Sequence, residues 1–195
     1  MAEEKFLLKD HIMELDAVIR PAAVSTFLRY LNFKDSQGSF VSAKIIGPDK
    51  EEEKTNIRKC THYDFTNITP SITDQHWANM CYHIFTQACN TYKAHHPMLT
   101  INKVYDIQAL KYSPGGHYIT HVDDHPDVSR SLSFIWRLNN DYEGGDLTWS
   151  MHGKEFMRSK TKPNSMIIWP SSFLYPHCVE PITKGTRWSI VAWAR

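Results

Sequence analysis

The sequence lacks several features that would place it in a broad class at once. No apolar stretch approaches the ~18 residues that a membrane-spanning helix requires, and the first eleven residues, MAEEKFLLKDH, are too charged for a signal peptide. There is little excess charge, since 22 Lys and Arg against 21 Asp and Glu leave a formal net charge of +1. Such a balance gives no general attraction to a polyphosphate. We therefore expect a cytoplasmic protein that binds neither membranes nor nucleic acid.

Cysteine is also scarce, with four residues and no CxxC pair. This spacing excludes a zinc ribbon and a thioredoxin-type site, and reduced thiols are the simplest interpretation. Histidine, by contrast, is plentiful: there are eleven, and some of them are candidate metal ligands. A hydrophobic content of 42% over 195 residues indicates a folded chain that forms one compact unit.

The first 104 residues predict a mixture of helices and strands. Met13–Ile19 alternates apolar and polar residues as a strand does, and Pro21 suits the first turn of a following helix. Phe40–Ile46 resembles a second strand. Apolar residues at helical spacing then predict a long amphipathic helix over Ile72–Lys93. We expect these elements to support the remainder of the chain.

Residues 105–195 have a different pattern. Segments rich in β-branched and aromatic residues follow one another at short intervals: YDIQALKY, HYITHVD, RSLSFIWRL, DLTWSM, SMIIW and TRWSIVAW. Turn sequences that contain Gly, Pro, Asn and Asp separate them. This pattern predicts a β-barrel or jelly roll, supported by the helices and strands of residues 1–104, and thus an α+β protein.

One short sequence in the β-rich half has the spacing of metal ligands. On a strand, His121 and Asp123 point to the same face, whereas Asp124 points away and suits a turn or a supporting position. An isolated HxD sequence is common by chance, so a third ligand is needed. His177, at the start of another predicted strand, is the best candidate. Two histidines and one carboxylate form the facial triad of non-heme Fe(II) oxygenases.

A buried cation would complete such a site. Arg187 lies ten residues after His177 and begins the predicted strand that continues through Trp193. A guanidinium on the same barrel wall could hold a carboxylate through two hydrogen bonds. A dicarboxylate cosubstrate would then fit between the metal and Arg187.

These residues carry a resemblance to a known family. The pattern Tyr112-x-x-Gly115-x-x-Tyr118-x-x-His121-x-Asp123 resembles the motif of prolyl 4-hydroxylases, which are Fe(II)- and 2-oxoglutarate-dependent dioxygenases. The similarity continues downstream, through the paired glycines Gly144-Gly145, the segment KPNSMIIW at residues 162–169 and the segment HCVEPITKGTRWSIVAW at residues 177–193. It covers residues 105–195, nearly half of the chain.

The resemblance implies a double-stranded β-helix and a set of cofactors. Fe(II) would be held by His121, Asp123 and His177, and 2-oxoglutarate would pair its far carboxylate with Arg187. O2 would be the oxidant, and ascorbate is a candidate reductant. The products would be succinate, CO2 and a hydroxylated substrate.

Roles for three aromatic residues also follow from the resemblance. Tyr112 would donate a hydrogen bond to the cosubstrate, Tyr118 would lie at the pocket mouth near the substrate, and Trp193 would pack beside the metal cavity. Simple packing in the barrel core is an equally good interpretation of all three.

The substrate class is less well defined by sequence. Collagen-type prolyl hydroxylases carry lysine where this chain has Arg187, and the oxygen-sensing type has a tyrosine where this chain has Arg137. The second arginine typical of the nucleic-acid repair branch is absent. We expect a polypeptide substrate, hydroxylated at prolyl residues. A lysyl residue, a small metabolite and a non-catalytic metal- or peptide-binding barrel remain the alternatives.

Overall fold

The computed structural model describes residues 7–46, 51–66, 71–160 and 162–195. Within these ranges the helices are a 3-10 turn at Leu8–His11, α1 at Pro21–Ser36 and α2 at Ile72–His95. The early strands are short: β1 Met13–Leu15, β2 Val41–Ser42, β3 Ile45–Ile46, β4 Glu51–Glu52, β5 Arg58–Lys59 and β6 Thr61–Asp64. The others are β7 Val104–Tyr112, β8 His117–His121, β9 Leu132–Arg137, β10 Glu143–Gly144, β11 Leu147–Met151, β12 Lys154–Ser159, β13 Ser165–Pro170, β14 His177–Val179, β15 Ile182–Lys184 and β16 Arg187–Ala194.

Two large antiparallel sheets form most of the β-rich half, and β10 pairs separately with β15. The major sheet has seven strands in the order β1-β13-β9-β16-β7-β6-β2, and the minor sheet has five in the order β12-β11-β14-β8-β5. From β7 onward the chain crosses repeatedly between them, which is the topology of a jelly roll. The predicted α+β architecture with a double-stranded β-helix core is confirmed.

Both faces of the major sheet are buried, and this gives the molecule two apolar cores. On β9, the rings of Phe134 and Trp136 pack against Phe85 and Phe27 of the two helices, with ring centroids 5.8 Å apart in each pair. Ile135 points the other way and belongs to the core between the two sheets. The helices thus cover one face, and the other face is left to line an interior site.

The first 104 residues are hydrogen-bonded into both sheets. They supply β1, β2 and β6 to the major sheet and β5 to the minor one. The division at residues 104/105 into a support region and a catalytic core stays a prediction. Among the described residues, no helix combines the length and hydropathy needed to cross a membrane.

The local elements differ from the sequence-based expectations in several places. The strand predicted over Met13–Ile19 ends at Leu15, shortly before Ala17, whose φ of 53° is incompatible with an extended strand. Two short strands, β2 and β3, replace the single strand predicted over Phe40–Ile46. Strand β12 was not predicted, and it pairs with β11 through a turn at His152 and Gly153, where φ is 51° and 74°. The helix predicted over Ile72–Lys93 is confirmed and extends to His95.

A buried carboxylate joins the two helices. The Asp74 side chain, on the first turn of α2, accepts hydrogen bonds from the Tyr30 hydroxyl at 2.7 Å and the Lys34 ammonium at 2.9 Å, both on α1. Although burial alone would raise the pKa of Asp74, these hydrogen bonds outweigh it and hold the pKa below its usual range. Ionised Asp74 therefore stabilises the packing of α1 against α2.

We expect Asp74→Asn to lower the free energy of unfolding by about 2 kcal/mol at pH 7, because Lys34 loses its partner in a largely buried position. The contribution of a carboxylate with a depressed pKa is complete above its unfolded pKa of about 4 and is lost as pH falls through its folded pKa. The difference between wild type and variant should therefore shrink below about pH 4. Urea titrations over a pH series would measure it.

The matched control is Asp16→Asn. Asp16 also pairs with a lysine, Lys162, at 3.2 Å, but both side chains are more than half exposed. Its removal should change the free energy of unfolding by less than about 0.5 kcal/mol. Equal effects of the two substitutions would show that the Asp74 contact does not stabilise the helix pair.

Candidate active site

A cleft of about 1140 Å³ opens between the major and minor sheets. Its wall combines side chains from both sheets, including Leu110, Tyr112, Ile135, Trp169, Val179, Val191 and Trp193. At one place on this wall, His121, Asp123 and His177 meet, with one ligand atom from each residue lying within 4.8 Å of the others. The three side chains that the sequence singled out as metal ligands are therefore brought together.

The two histidines face each other across neighbouring strands. His121 ends β8 and His177 begins β14, and the antiparallel register places them directly opposite each other. Each ring Nδ1 lies within hydrogen-bond distance of a carbonyl oxygen two residues earlier, that of Ile119 at 2.8 Å and that of Tyr175 at 3.1 Å. An Nδ1–H that donates to a carbonyl leaves the lone pair on Nε2, and this orientation is usual for a histidine that binds a metal.

Burial keeps His177 neutral. Removal from solvent, reinforced by the nearby His121 ring and opposed by Asp123, lowers the pKa of His177 to about 4. Its side chain is 4% exposed. The imidazole therefore has a free lone pair at neutral pH, as a metal ligand must.

Asp123 lies between the two imidazoles. Its Oδ1 is 3.6 Å from Nε2 of His121, and its Oδ2 is 3.5 Å from Nε2 of His177. Burial opposes ionisation, but the two histidines and a hydrogen bond from Ser133 outweigh it and hold the pKa of Asp123 far below its usual range. The carboxylate is therefore ionised. Strand β8 ends at His121, two residues before Asp123. The Asp123 side chain nevertheless points to the same face as His121, so the chain stays extended beyond the last paired residue of β8.

This donor set fits a divalent transition metal. Ligands about 2.1 Å from an ion and at right angles to one another lie about 3 Å apart, close to the separations of 3.5 and 3.6 Å seen here. Two imidazoles and one carboxylate on one side of an ion leave the other positions open, which is the arrangement typical of non-heme Fe(II) oxygenases. Asp124 is excluded from the set, since its carboxylate accepts the backbone N–H of Arg130 and shapes the turn.

Two buried serines support Asp123 and were missed by sequence reasoning. The Ser133 hydroxyl on β9 donates to Oδ2 of Asp123 at 2.6 Å, and it is 2.8 Å from the hydroxyl of Ser171. Ser133 lies on a strand of buried, mostly apolar residues, where a serine is unusual. Its contact with Asp123 depends on how the two sheets pack, which the sequence does not show. The two hydroxyls fix the orientation of the carboxylate.

We expect Ser133→Ala to weaken metal binding about tenfold, because a ligand carboxylate without its hydrogen-bond donor is less well oriented. Calorimetric titration with Mn(II) would measure the change. Ser172→Ala, a neighbour of Ser171 outside this hydrogen-bonded pair, serves as the control and should bind the metal normally. If the Ser133→Ala variant bound Mn(II) with unchanged affinity, Ser133 would have no role in metal binding.

Arg187 lies in the interior beside Tyr112, its direct partner across β16 and β7. The guanidinium is 1% exposed and lies 5.3 Å from the Tyr112 ring. One of its nitrogens, Nη1, donates to Ser189 at 3.3 Å, while Nε and Nη2 have no hydrogen-bond partner among the described residues. A buried cation with two unused donors is costly unless an anionic ligand joins it.

Other interior donors are also unpaired. The indole N–H groups of Trp149 and Trp169 are buried and have no acceptor in the described part of the chain. Tyr112 is 1% exposed, and burial raises the pKa of its hydroxyl well above the usual range, so it remains protonated. The interior therefore offers several donors to a ligand that brings acceptor oxygens.

The paired glycines of the sequence motif make room for this guanidinium. Gly145 has φ of 70°, and a Cβ there would collide with Ile182 and lie 3.2 Å from Cδ of Arg187. Gly144, with φ of 76°, approaches the backbone at Pro181 equally closely. Only glycine combines this backbone conformation with the close approach.

The two aromatic residues that were predicted near the pocket do line the cleft. The Tyr118 ring stacks on His121 with centroids 3.5 Å apart, and the Arg58 guanidinium lies 4.9 Å from the centre of the Tyr118 ring. The Trp193 ring is covered by the guanidinium of Arg130 at 3.8 Å. Sequence reasoning missed both arginines, because their positions depend on strands and loops that are distant in the chain.

Comparisons with known proteins give matches in sequence and in fold. A family model described as the 2OG-Fe(II) oxygenase superfamily matches residues 107–195. Among curated proteins, a PKHD-type hydroxylase of Gloeothece citriformis is 35% identical over 102 residues, which is 48% of this chain and 44% of the relative. A PKHD-type hydroxylase of Synechococcus sp. strain CC9902 is 37% identical over 98 residues, 48% of this chain and 42% of the relative. The chain thus spans less than half the length of these relatives.

Solved structures show the same fold. A prolyl-4-hydroxylase of Pseudomonas putida superposes with a TM-score of 0.73 at 20% identity, covering 95% of this chain and 92% of the other. A Trichoplax adhaerens prolyl hydroxylase in complex with a hypoxia inducible factor peptide fragment gives 0.77 at 15% identity, covering 94% and 83%. Over residues 107–195 this chain is thus similar in sequence to the 2OG-Fe(II) oxygenase superfamily, and it shares the fold of these solved structures.

Proposed function

We propose that this chain is an Fe(II)- and 2-oxoglutarate-dependent dioxygenase that hydroxylates a polypeptide, at prolyl residues. One observation carries the proposal: two histidines and one carboxylate meet in the wall of a cleft that Tyr112 also lines, and the cross-strand partner of Tyr112 is a buried arginine with two unused donors. The two histidines and the carboxylate suit Fe(II), and the arginine suits the carboxylate of a cosubstrate.

Each side chain has a defined task in this proposal. His121, His177 and Asp123 hold the metal, and Ser133 keeps the carboxylate oriented. Arg187 binds the far carboxylate of 2-oxoglutarate, and the Tyr112 hydroxyl donates a hydrogen bond to the same ligand. Fe(II) and 2-oxoglutarate, when bound, supply O2 activation, so that one oxygen atom enters succinate as CO2 is lost and the other enters a C–H bond of the substrate.

Apolar side chains around the metal ligands exclude water from the site. Trp169 packs edge-on against His177 with ring centroids 4.9 Å apart, and Ile135, Val179 and Val191 complete the apolar wall. Exclusion of water protects reactive intermediates from side reactions. These residues orient and shield the site, whereas the metal and cosubstrate perform the difficult chemistry.

An extended polypeptide suits the open side of the cleft. Val41, Ile119 and Val122 line it there and are 56%, 46% and 39% exposed. Exposed apolar side chains beside a catalytic cleft are typical of a surface that binds another chain. The likeness to two prolyl hydroxylase structures, one of them with a bound peptide, supports a prolyl substrate.

The test is aerobic incubation with Fe(II) and 2-oxoglutarate, followed by measurement of succinate. Release of succinate without added substrate would reveal uncoupled turnover and support the dioxygenase assignment, whereas none in folded, metal-loaded protein, with or without peptide, would overturn it. Mass spectrometry of a peptide library would then locate the added oxygen atom. Oxygen on proline supports the proposed substrate, and oxygen on lysine alone contradicts it.

A further inference from the structure

A second arginine is buried in the same interior as Arg187. Arg137, the last residue of β9, is 1% exposed. It lies directly opposite Ser189 in the pairing of β9 with β16, and Ser189 accepts the hydrogen bond from Arg187. Residues two apart on a strand share a face, so Arg137 and Arg187 are diagonal neighbours on the inner face of the major sheet.

The contacts of Arg137 hold its guanidinium in place from the side away from Arg187. Its Nη1 donates to the Ser159 hydroxyl at 3.0 Å and to the Lys160 carbonyl at 2.7 Å, and its Nη2 donates to the Ser165 hydroxyl at 3.0 Å. Its Nε has no hydrogen-bond partner among the described residues. The two terminal nitrogens therefore fix the guanidinium, whereas Nε is left without an acceptor.

The charge balance around the two guanidiniums is incomplete. The Ser159 hydroxyl that accepts from Arg137 donates in turn to the exposed carboxylate of Glu14 at 2.5 Å. Burial and the repulsion of Arg187 lower the pKa of Arg137, and Glu14 opposes both effects. Two buried cations are thus partly compensated by a carboxylate at the edge of the sheet, and an anion in the interior would relieve the remaining repulsion.

We propose that Arg137 is a second cation of the carboxylate-binding end of the cosubstrate pocket, and that its charge determines the selectivity of this pocket for a ligand with a negatively charged tail. The inference rests on the proposed function, because it assumes that 2-oxoglutarate occupies this interior. Arg187 contacts the tail, whereas Arg137 acts through the field that it adds and is a positioning residue. The Glu14–Ser159–Arg137 chain tunes that field from the protein surface.

Two ligands separate charge selectivity from general binding. One is 2-oxoglutarate and the other is its methyl ester at the far carboxylate, which keeps the metal-chelating end and loses the negative tail. The ratio of their affinities for Mn(II)-loaded protein, measured by calorimetry, reports the contribution of the negatively charged tail. A purely structural Arg137 would affect both ligands alike.

In Arg137→Gln we expect the ratio to fall about tenfold, since a unit charge is removed from the diagonal neighbour of Arg187, which binds the tail. Arg137→Lys, which keeps the charge, should retain most of the ratio. Arg158→Gln removes the same charge from a surface cluster with Asp146, Glu155 and Glu180, and it should leave the ratio unchanged. An unchanged ratio in Arg137→Gln would overturn the inference.

A second variant keeps the test decisive if Arg137→Gln does not fold. Glu14 is exposed, and Glu14→Gln preserves an acceptor for Ser159 while removing the compensating charge. We expect the affinity ratio to rise about threefold in this variant, and a ratio that stays constant or falls would count against the inference. If metal-loaded wild type binds neither ligand, the proposed function fails instead.

Discussion

Replacing His121 with alanine is expected to abolish turnover and to weaken metal binding at least a hundredfold. Loss of a hydrogen bond to a ligand already costs about tenfold to a hundredfold in affinity, so loss of a ligand must cost more. The remaining pair, Asp123 and His177, would hold an ion from only two sides. Calorimetry with Mn(II) would measure the affinity, and succinate release would measure turnover.

The matched control is His117→Ala, four residues earlier on the same strand. The His117 ring lies near the carbonyl oxygens of Gly115 and Asn56, away from the proposed ligands. The His117→Ala variant should bind the metal and turn over normally, apart from a small loss of stability. If His121→Ala retained full metal affinity, the ligand set proposed here would be wrong.

Replacing Arg187 with alanine should have the second largest effect, on 2-oxoglutarate rather than on the metal. Removing one partner of a buried, hydrogen-bonded charge pair costs about 2–5 kcal/mol, which corresponds to a loss of affinity of about thirtyfold or more. The three ligand side chains do not contact Arg187 in the described structure, so Mn(II) affinity should stay within about twofold of wild type.

Titration of the Mn(II)-loaded variants with 2-oxoglutarate would measure this loss. Arg187→Lys provides the comparison, because it keeps the charge but loses the planar pair of donors and should bind with intermediate affinity. Loss of the metal in Arg187→Ala, with 2-oxoglutarate affinity unchanged in the metal-loaded form, would assign Arg187 to the structure of the metal centre instead.

Local patterns in the sequence were sufficient for much of the fold. All six β-rich segments after residue 104 form strands, because β-branched and aromatic residues favour the extended conformation of a sheet. The helix over Ile72–His95 follows from its apolar spacing and from Ser71, whose hydroxyl caps it by accepting the N–H of Asp74. These elements are specified by neighbours within a few residues.

Contacts between distant segments could not be predicted in this way. Strand β12 has few apolar residues and depends on β11 as a partner. The hydrogen bond from Ser133 to Asp123, the cover of Arg130 on Trp193 and the approach of Arg137 to Arg187 all join strands or loops whose pairing no local pattern reveals. The HxD spacing predicted two of the three metal ligands on one face, but the position of His177 opposite His121 required the register of β14 against β8.

That register makes the metal a mechanical link within the fold. His121 and His177 belong to adjacent strands of the minor sheet, and Asp123 is tied through Ser133 to the major sheet. An ion held by all three would join segments that are far apart in the chain, in the manner of a cross-link. We therefore expect the cleft edge of the minor sheet to open locally and exchange its amide hydrogens much faster in metal-free protein, while the helix-covered face of the major sheet keeps its protection.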